Sequence, residues 1–179
     1  MIHWAEIRAY EQSAAFPELV SKSTTWHGKR GMCWGQLIPK LEQLLQKEPP
    51  PSRLIIHLGG NDIPNIPTHK LEHLIKNDLA RIHMWMPTTQ IVWSDLTTRL
   101  KYRHARDHAK VDRSRKALNY KIHVTVCQLG GSFIKHPAIT REAHSFFRPD
   151  GVHLSNTGND ILLRDFQINI KGQHHELFH

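Results

Sequence analysis

The segment Leu54-Ile-Ile-His-Leu-Gly-Gly-Asn-Asp-Ile63 constrains the fold more than any other stretch of the chain. A short apolar run that stops on two glycines reads as a strand buried on both faces, since a half-exposed strand alternates polar and apolar residues. Helical spacing flanks it. Leu37, Leu41, Leu44 and Leu45 give one apolar helix face, closed by Glu48-Pro-Pro-Pro-Ser52, and Leu71, Leu74, Ile75, Leu79 and Ile82 give another, closed by Pro87-Thr-Thr89. The same reading predicts a helix start over 2–10, a short strand over 23–27 and, beyond the turn Gly28-Lys-Arg-Gly31, a helix over 34–46. Strands follow over 53–58, 90–96 and 132–134, and helices over 68–86, through the basic stretch near 99–121, and over 155–167. Strands alternating with helices predict an α/β fold with a parallel sheet covered on both faces. No repeat, low-complexity tract or linker interrupts the 179 residues, and a 39% hydrophobic chain of this length buries roughly 70% of its unfolded surface, so one domain over 1–179 is expected.

No apolar run reaches the roughly 18 residues of a membrane span, and Glu6 and Arg8 stand where a signal peptide would be apolar. A soluble chain is expected, cytoplasmic or otherwise intracellular. Two cysteines, Cys33 and Cys127, make no disulfide framework and read as buried thiols in apolar surroundings. The net charge of +8 is concentrated: nine Lys/Arg against two Asp between Arg99 and Lys121 supply +7 of it. Val111, Leu118, Ile122 and Val126 at near-helical spacing would turn those cations to solvent, so a solvated helix face is favoured over a nucleic-acid or acidic-membrane surface. Only Tyr102 and Tyr120 are interleaved for base stacking, which leaves weak non-specific nucleic-acid binding as the expectation.

In parallel sheets ligands bind beyond the carboxyl ends of the strands, and two motifs fall there. Gly59-Gly60-Asn61-Asp62 follows its strand directly, so Asn61 can project an amide that donates to a developing oxyanion without titrating. Turning the chain and capping a helix explains Asn-Asp equally well. The second motif lies in Arg148-Pro-Asp-Gly-Val-His-Leu-Ser155. Asp150 and His153, three apart on a Pro-Asp-Gly turn, allow a carboxylate to meet imidazole Nδ1 and leave Nε2 for proton transfer. Ser155 then caps the last helix, with Thr157 and Gly158 in its first turn.

With these residues in place, the chain resembles the SGNH (GDSL-type) hydrolases, and in Ile2-His-Trp-Ala5 the vertebrate retroelement-associated members of that superfamily. The likeness spans nearly the whole sequence. It implies a flavodoxin-like three-layer α/β/α sandwich, a serine esterase or acetylhydrolase chemistry on small esters, and no cofactor or metal. It implies an oxyanion hole from the Gly31 backbone, with Gly28 as rival, and the Asn61 side chain, and a catalytic pair Asp150 and His153. It further implies that Gly31, Asn61 and His153 converge at one end of the sheet. The family's first strand and its Gly-x-Ser nucleophile block have no counterpart after Met1, so an N-terminally truncated domain without a nucleophile is expected. In the family's strand order 2-1-3-4-5 that loss leaves an interior gap in the sheet, so that either a longer chain supplies the strand, or the remaining strands close up, or the product is poorly stable. Ser94, Ser132 and Ser155 do not sit on sharp strand-to-helix turns and do not replace the nucleophile. The alternative is a non-catalytic module that binds nucleic acid or protein through the 99–121 face. Metal binding has little support: His57 reads as packed, and His174, His175 and His179 fall in the tail.

Overall fold

The structure, a computed structural model, describes residues 3–63 and 65–172, with His3 and Trp4 described by backbone alone. His174, His175 and His179 lie outside the described residues. The elements run α1 (His3–Glu11), α2 (Leu37–Leu45), β1 (Arg53–Ile56), α3 (Thr68–Trp85), β2 (Gln90–Ser94), α4 (His108–Gln128), β3 (Ser132–Ile134) and α5 (Asn156–Gly172), with single 3-10 turns at Pro17–Leu19, Trp34–Gln36 and His144–Phe146. The chain forms two compact units. One takes in Gly31–Leu96 and Tyr102–Phe133, the other Met1–Arg30, Thr97–Lys101 and Ile134–His179.

The first unit holds the sheet, ordered β1-β2-β3. β1 and β2 pair in parallel with Arg53 opposite Gln90 and Ile56 opposite Trp93. Leu71, Ile75, Leu79 and Ile82 of α3 and Leu118, Ile122 and Val126 of α4 are fully buried in one core with Trp34, Ile91 and Trp93. Each boundary has a local cause. Pro87 disfavours helix at the residue before it, and α3 stops at Trp85. Asp107 accepts the Lys110 N–H at 2.8 Å and starts α4. Gly131 must be glycine where α4 hands over to β3, because a Cβ there would stand 2.2 Å from the Ile91 carbonyl oxygen.

The second unit is built on α1 and α5. Arg8 donates to both carboxylate oxygens of Asp160, at 2.9 and 3.1 Å, and Leu162, Leu163 and Phe166 are buried with Ala5, Ala9 and Leu19. Ser155 Oγ accepts the Gly158 N–H at 3.2 Å, which is the cap expected for the last helix.

Several expectations are corrected. Residues 23–27 form no strand: Thr24 Oγ1 donates to the Glu18 carbonyl at 2.7 Å, Trp26 Nε1 donates to the Leu19 carbonyl at 2.7 Å, and the Trp26 ring packs 6.2 Å from Phe166. The segment is therefore tied to its own 3-10 turn and to α5. With it out of the ladder, the sheet among the described residues has three contiguous strands and β1 at its edge, so the interior gap does not arise. Leu74 is exposed at 45% because it lies off the α3 stripe that Leu71 and Ile75 share. The basic stretch does not turn all its cations outward: Arg115 of α4 is buried, donating to Asp112 and to the Leu96 carbonyl, and Arg99, ahead of the helix, is buried too. Cys127 is exposed and Cys33 only partly covered, since both lie beside the apolar stripes rather than on them. No helix among the described residues is long and apolar enough to cross a membrane.

Candidate active site

The Gly59–Asp62 turn leaves the sheet through a backbone that only glycine adopts comfortably, with φ +116° at Gly59. Asp62 N–H then donates to the Gly59 carbonyl at 3.0 Å, closing the turn. Asn61 Nδ2 donates to the Met32 carbonyl at 3.0 Å, and Asn65 Nδ2 donates to the Asn61 carbonyl at 2.8 Å. The amide of Asn61 is thereby fixed against the residue next to Gly31, which is exposed and has φ +69°. Of the two rival glycines, Gly31 is the one whose neighbour the structure ties to Asn61, 29 positions away in sequence.

Asp62 is the residue the sequence reading did not assign. Its carboxylate accepts the Trp34 N–H at 2.9 Å and so caps the 3-10 turn that leads into α2. Burial pushes the Asp62 carboxyl above its ordinary value, and the Trp34 N–H opposes that shift. The capping alternative for Asn-Asp is thus correct for Asp62, on the helix preceding the motif in sequence rather than the one following it. A signal existed: Cys33 is a poor cap by residue type, and Gln36 reaches back only to the Cys33 N–H, at 3.1 Å.

The Asp150 turn is organised by its own backbone. Gly151, at φ +66°, donates its N–H to the Arg148 carbonyl at 2.8 Å, and Arg148 N–H donates to the His153 carbonyl at 2.8 Å. Phe147 bridges Leu154 in antiparallel fashion, and the Lys101 N–H donates to the Gly151 carbonyl at 2.9 Å. In this frame His153 Nδ1 donates to Asp150 Oδ2 at 2.7 Å. Asp150 Oδ1 meanwhile accepts the backbone N–H groups of Val152 and His153 at 2.8 and 3.0 Å. Partial burial works to raise the Asp150 carboxyl, but the imidazole and the two backbone donors outweigh it and hold the carboxyl well below the usual carboxylate range. An ionised Asp150 fixes the tautomer with the proton on Nδ1, leaving Nε2 as the nitrogen able to take a proton. The imidazole is about one-third exposed, open to a small molecule.

Three further histidine pairs have similar contacts and different settings. His57 Nδ1 lies 2.9 Å from Ser94 Oγ, yet Ser94, the last residue of β2, is fully buried, out of reach of a substrate carbonyl. His136 Nδ1 lies 2.8 Å from Asp165, with its side chain 2% exposed. His123 meets Asp95 through Nε2 and stacks on Phe133 at 3.8 Å. Burial of Ser94 and of the His136 and His123 side chains makes these packing contacts, whereas the Asp150–His153 pair is open. Ser155 Oγ donates to the Ser145 carbonyl at 2.8 Å while capping α5, and Ser132 opens β3, so neither sits on a nucleophile turn.

No protein-family model matches this sequence, and no curated protein does. Solved structures do match in fold. A GDSL-like lipase from Bacteroides thetaiotaomicron superposes with a TM-score of 0.72 at 15% identity, covering 94% of this chain and 84% of that one. A member of the lipolytic G-D-S-L family from Veillonella parvula gives 0.65 at 12% identity over 90% and 84% of the two chains. The psychrotrophic esterase EstA from Pseudoalteromonas gives 0.61 at 14% identity over 81% and 74%. The chain therefore has the α/β fold of the SGNH hydrolases.

Proposed function

We propose that residues 1–179 act as one SGNH-type ester hydrolase domain that carries the general base and oxyanion donors but no usable nucleophile of its own. The observation that carries this reading is the Asp150–His153 pair, an ionised carboxylate on Nδ1 of a part-exposed imidazole. In the reaction a serine hydroxyl attacks the acyl carbonyl of a small ester, His153 Nε2 takes its proton and returns it to the leaving alcohol, and Asp150 steadies the imidazolium. The Gly31 N–H and the Asn61 amide hold the oxyanion; one such donor is worth about 100- to 1,000-fold in rate. None of Ser94, Ser132 and Ser155 supplies the attacking oxygen, for the reasons of burial and backbone position given above.

The test uses a fluorophosphonate label, which reacts only with an activated serine. The chain as it stands is expected to remain unlabelled. A chain extended ahead of Met1 by a hydrophobic strand ending in Gly-x-Ser is expected to label stoichiometrically, and His153→Ala to abolish that labelling. Stoichiometric, His153-dependent labelling of the unextended chain would show that an internal serine is the nucleophile and overturn the assignment.

A further inference from the structure

The stretch that supplies nearly all the net charge resolves into two kinds of residue. Both of its acids are engaged internally: Asp107 caps α4, and buried Asp112 accepts from Arg115 at 2.8 Å and from the Tyr102 hydroxyl at 3.0 Å. Tyr102 and Arg115 are buried with it. The remaining cations stand on the surface. Arg103 and Arg106 lie in the loop ahead of α4, and Lys110, Arg113 and Lys116 on the helix itself, all exposed; Lys116 stands 3.7 Å from Asp112 Oδ2 with its side chain still 70% exposed. Lys121, a little further along, is engaged by Glu72 at 2.7 Å.

On the same helix face stand Tyr120, 70% exposed, and Val124, 45% exposed, since positions 113, 116, 120 and 124 follow the three- and four-residue steps that bring side chains into one row. From Arg113 to Tyr120 the row covers about 10 Å at 1.5 Å per residue, a few nucleotides of an extended strand. An isolated exposed tyrosine is ordinary; a tyrosine at the end of a row of cations, with Asp112 buried and Asp107 bound to the helix start, is the pairing of phosphate contacts with a stacking platform. Duplex DNA keeps its base faces stacked, and a membrane surface offers no face for the ring to stack on. We propose that this α4 face binds single-stranded nucleic acid, with Arg106, Lys110, Arg113 and Lys116 on successive phosphates and Tyr120 stacked on a base. The site is separate from the Asp150–His153 pair and stands or falls without it.

Fluorescence anisotropy of the full chain with fluorescein-labelled oligothymidylate of twenty nucleotides tests this, between 50 and 300 mM NaCl. For four phosphate contacts, log K is expected to fall with log salt at a slope of about −3. Arg113→Glu with Lys116→Glu is expected to weaken binding at least tenfold and flatten that slope. Tyr120→Ala is expected to weaken binding about tenfold with the slope unchanged, and Tyr120→Phe to bind like the parent. The same charge reversal at exposed Arg164 and Lys171 of α5 is expected to leave affinity within twofold. All these positions are exposed, so circular dichroism should show an unaltered fold. The proposal is overturned by no binding at 100 mM salt, by equal loss from the α5 reversal, by Tyr120→Ala having no effect, or by binding to phosphatidylserine vesicles without binding to the oligonucleotide.

Discussion

The Gly59–Asp62 turn and the Arg148–Ser155 turn each place a carboxylate beside a residue assigned to ester chemistry, yet they hold it by opposite means. Asp62 is 3% exposed and reaches across 28 positions to the Trp34 N–H, so its partner belongs to another element and its environment is the core. Asp150 has a side chain 46% exposed and takes all its described donors from within three residues. Asn61 follows Asp62 in depending on a distant carbonyl, that of Met32. The first turn is thus held in place by tertiary packing and the second by its own local hydrogen bonds. Substitution of Asp62 should register chiefly as lost stability, and substitution of Asp150 chiefly as lost chemistry.

The sharpest way to probe the packed side of this contrast is Trp34→Ala. Trp34 is 1% exposed, lies 6.0 Å from the Trp93 ring and donates through Nε1 to Asp78 at 2.8 Å. Its truncation is expected to cost about 3–5 kcal/mol, read as a shift in the urea midpoint. Asp62→Ala comes next, at about 2 kcal/mol, because it orphans a buried N–H at a helix start. Ser155→Ala removes only a cap at the edge of the second turn and is expected to cost about 1 kcal/mol. Asp150→Asn, which can still accept from the Val152 and His153 N–H groups, is expected to cost less neutral-pH stability than Asp62→Ala; an equal loss would break the comparison.

Acid titration separates the two carboxylates by sign. The carboxyl of Asp150 is held down in the fold, so its contribution is present above the unfolded value near 3.8 and lost as pH falls below it. Burial raises the carboxyl of Asp62, so its contribution is full below that value and is lost as pH rises through the raised folded one. Urea midpoints between pH 2.5 and 7 should therefore show Asp150→Asn lessening the acid loss. Asp62→Asn, which can still accept from Trp34, should lessen the loss on the alkaline side. Parallel curves for the two variants would contradict the assignment of burial to one and local donors to the other.

What could be read in advance follows the same division. The Ser155 cap and the Asp150-to-His153 contact depend on residues close in sequence, and the structure has both of them. Where the determining partner is distant, the reading failed or stopped short. Residues 23–27 have strand composition, but a strand requires a ladder partner, and Trp26 instead meets Leu19 and Phe166. Arg115 looks like one more surface cation until Asp112 and the Leu96 carbonyl draw it inward. Asp62 could be recognised as a cap by type, though not that its helix lay upstream.

Turnover by the chain extended with a strand ending in Gly-x-Ser tests the central claim most directly, with an aryl acetate as substrate and Asp150→Asn and His153→Ala beside it. The account predicts a measurable acyl-enzyme burst and steady turnover in the extended chain. Asp150→Asn should lower kcat by about 10,000-fold with a Tm close to the parent's, and His153→Ala should leave no burst. Turnover that survives both substitutions, or that disappears only because the variants unfold, would contradict it.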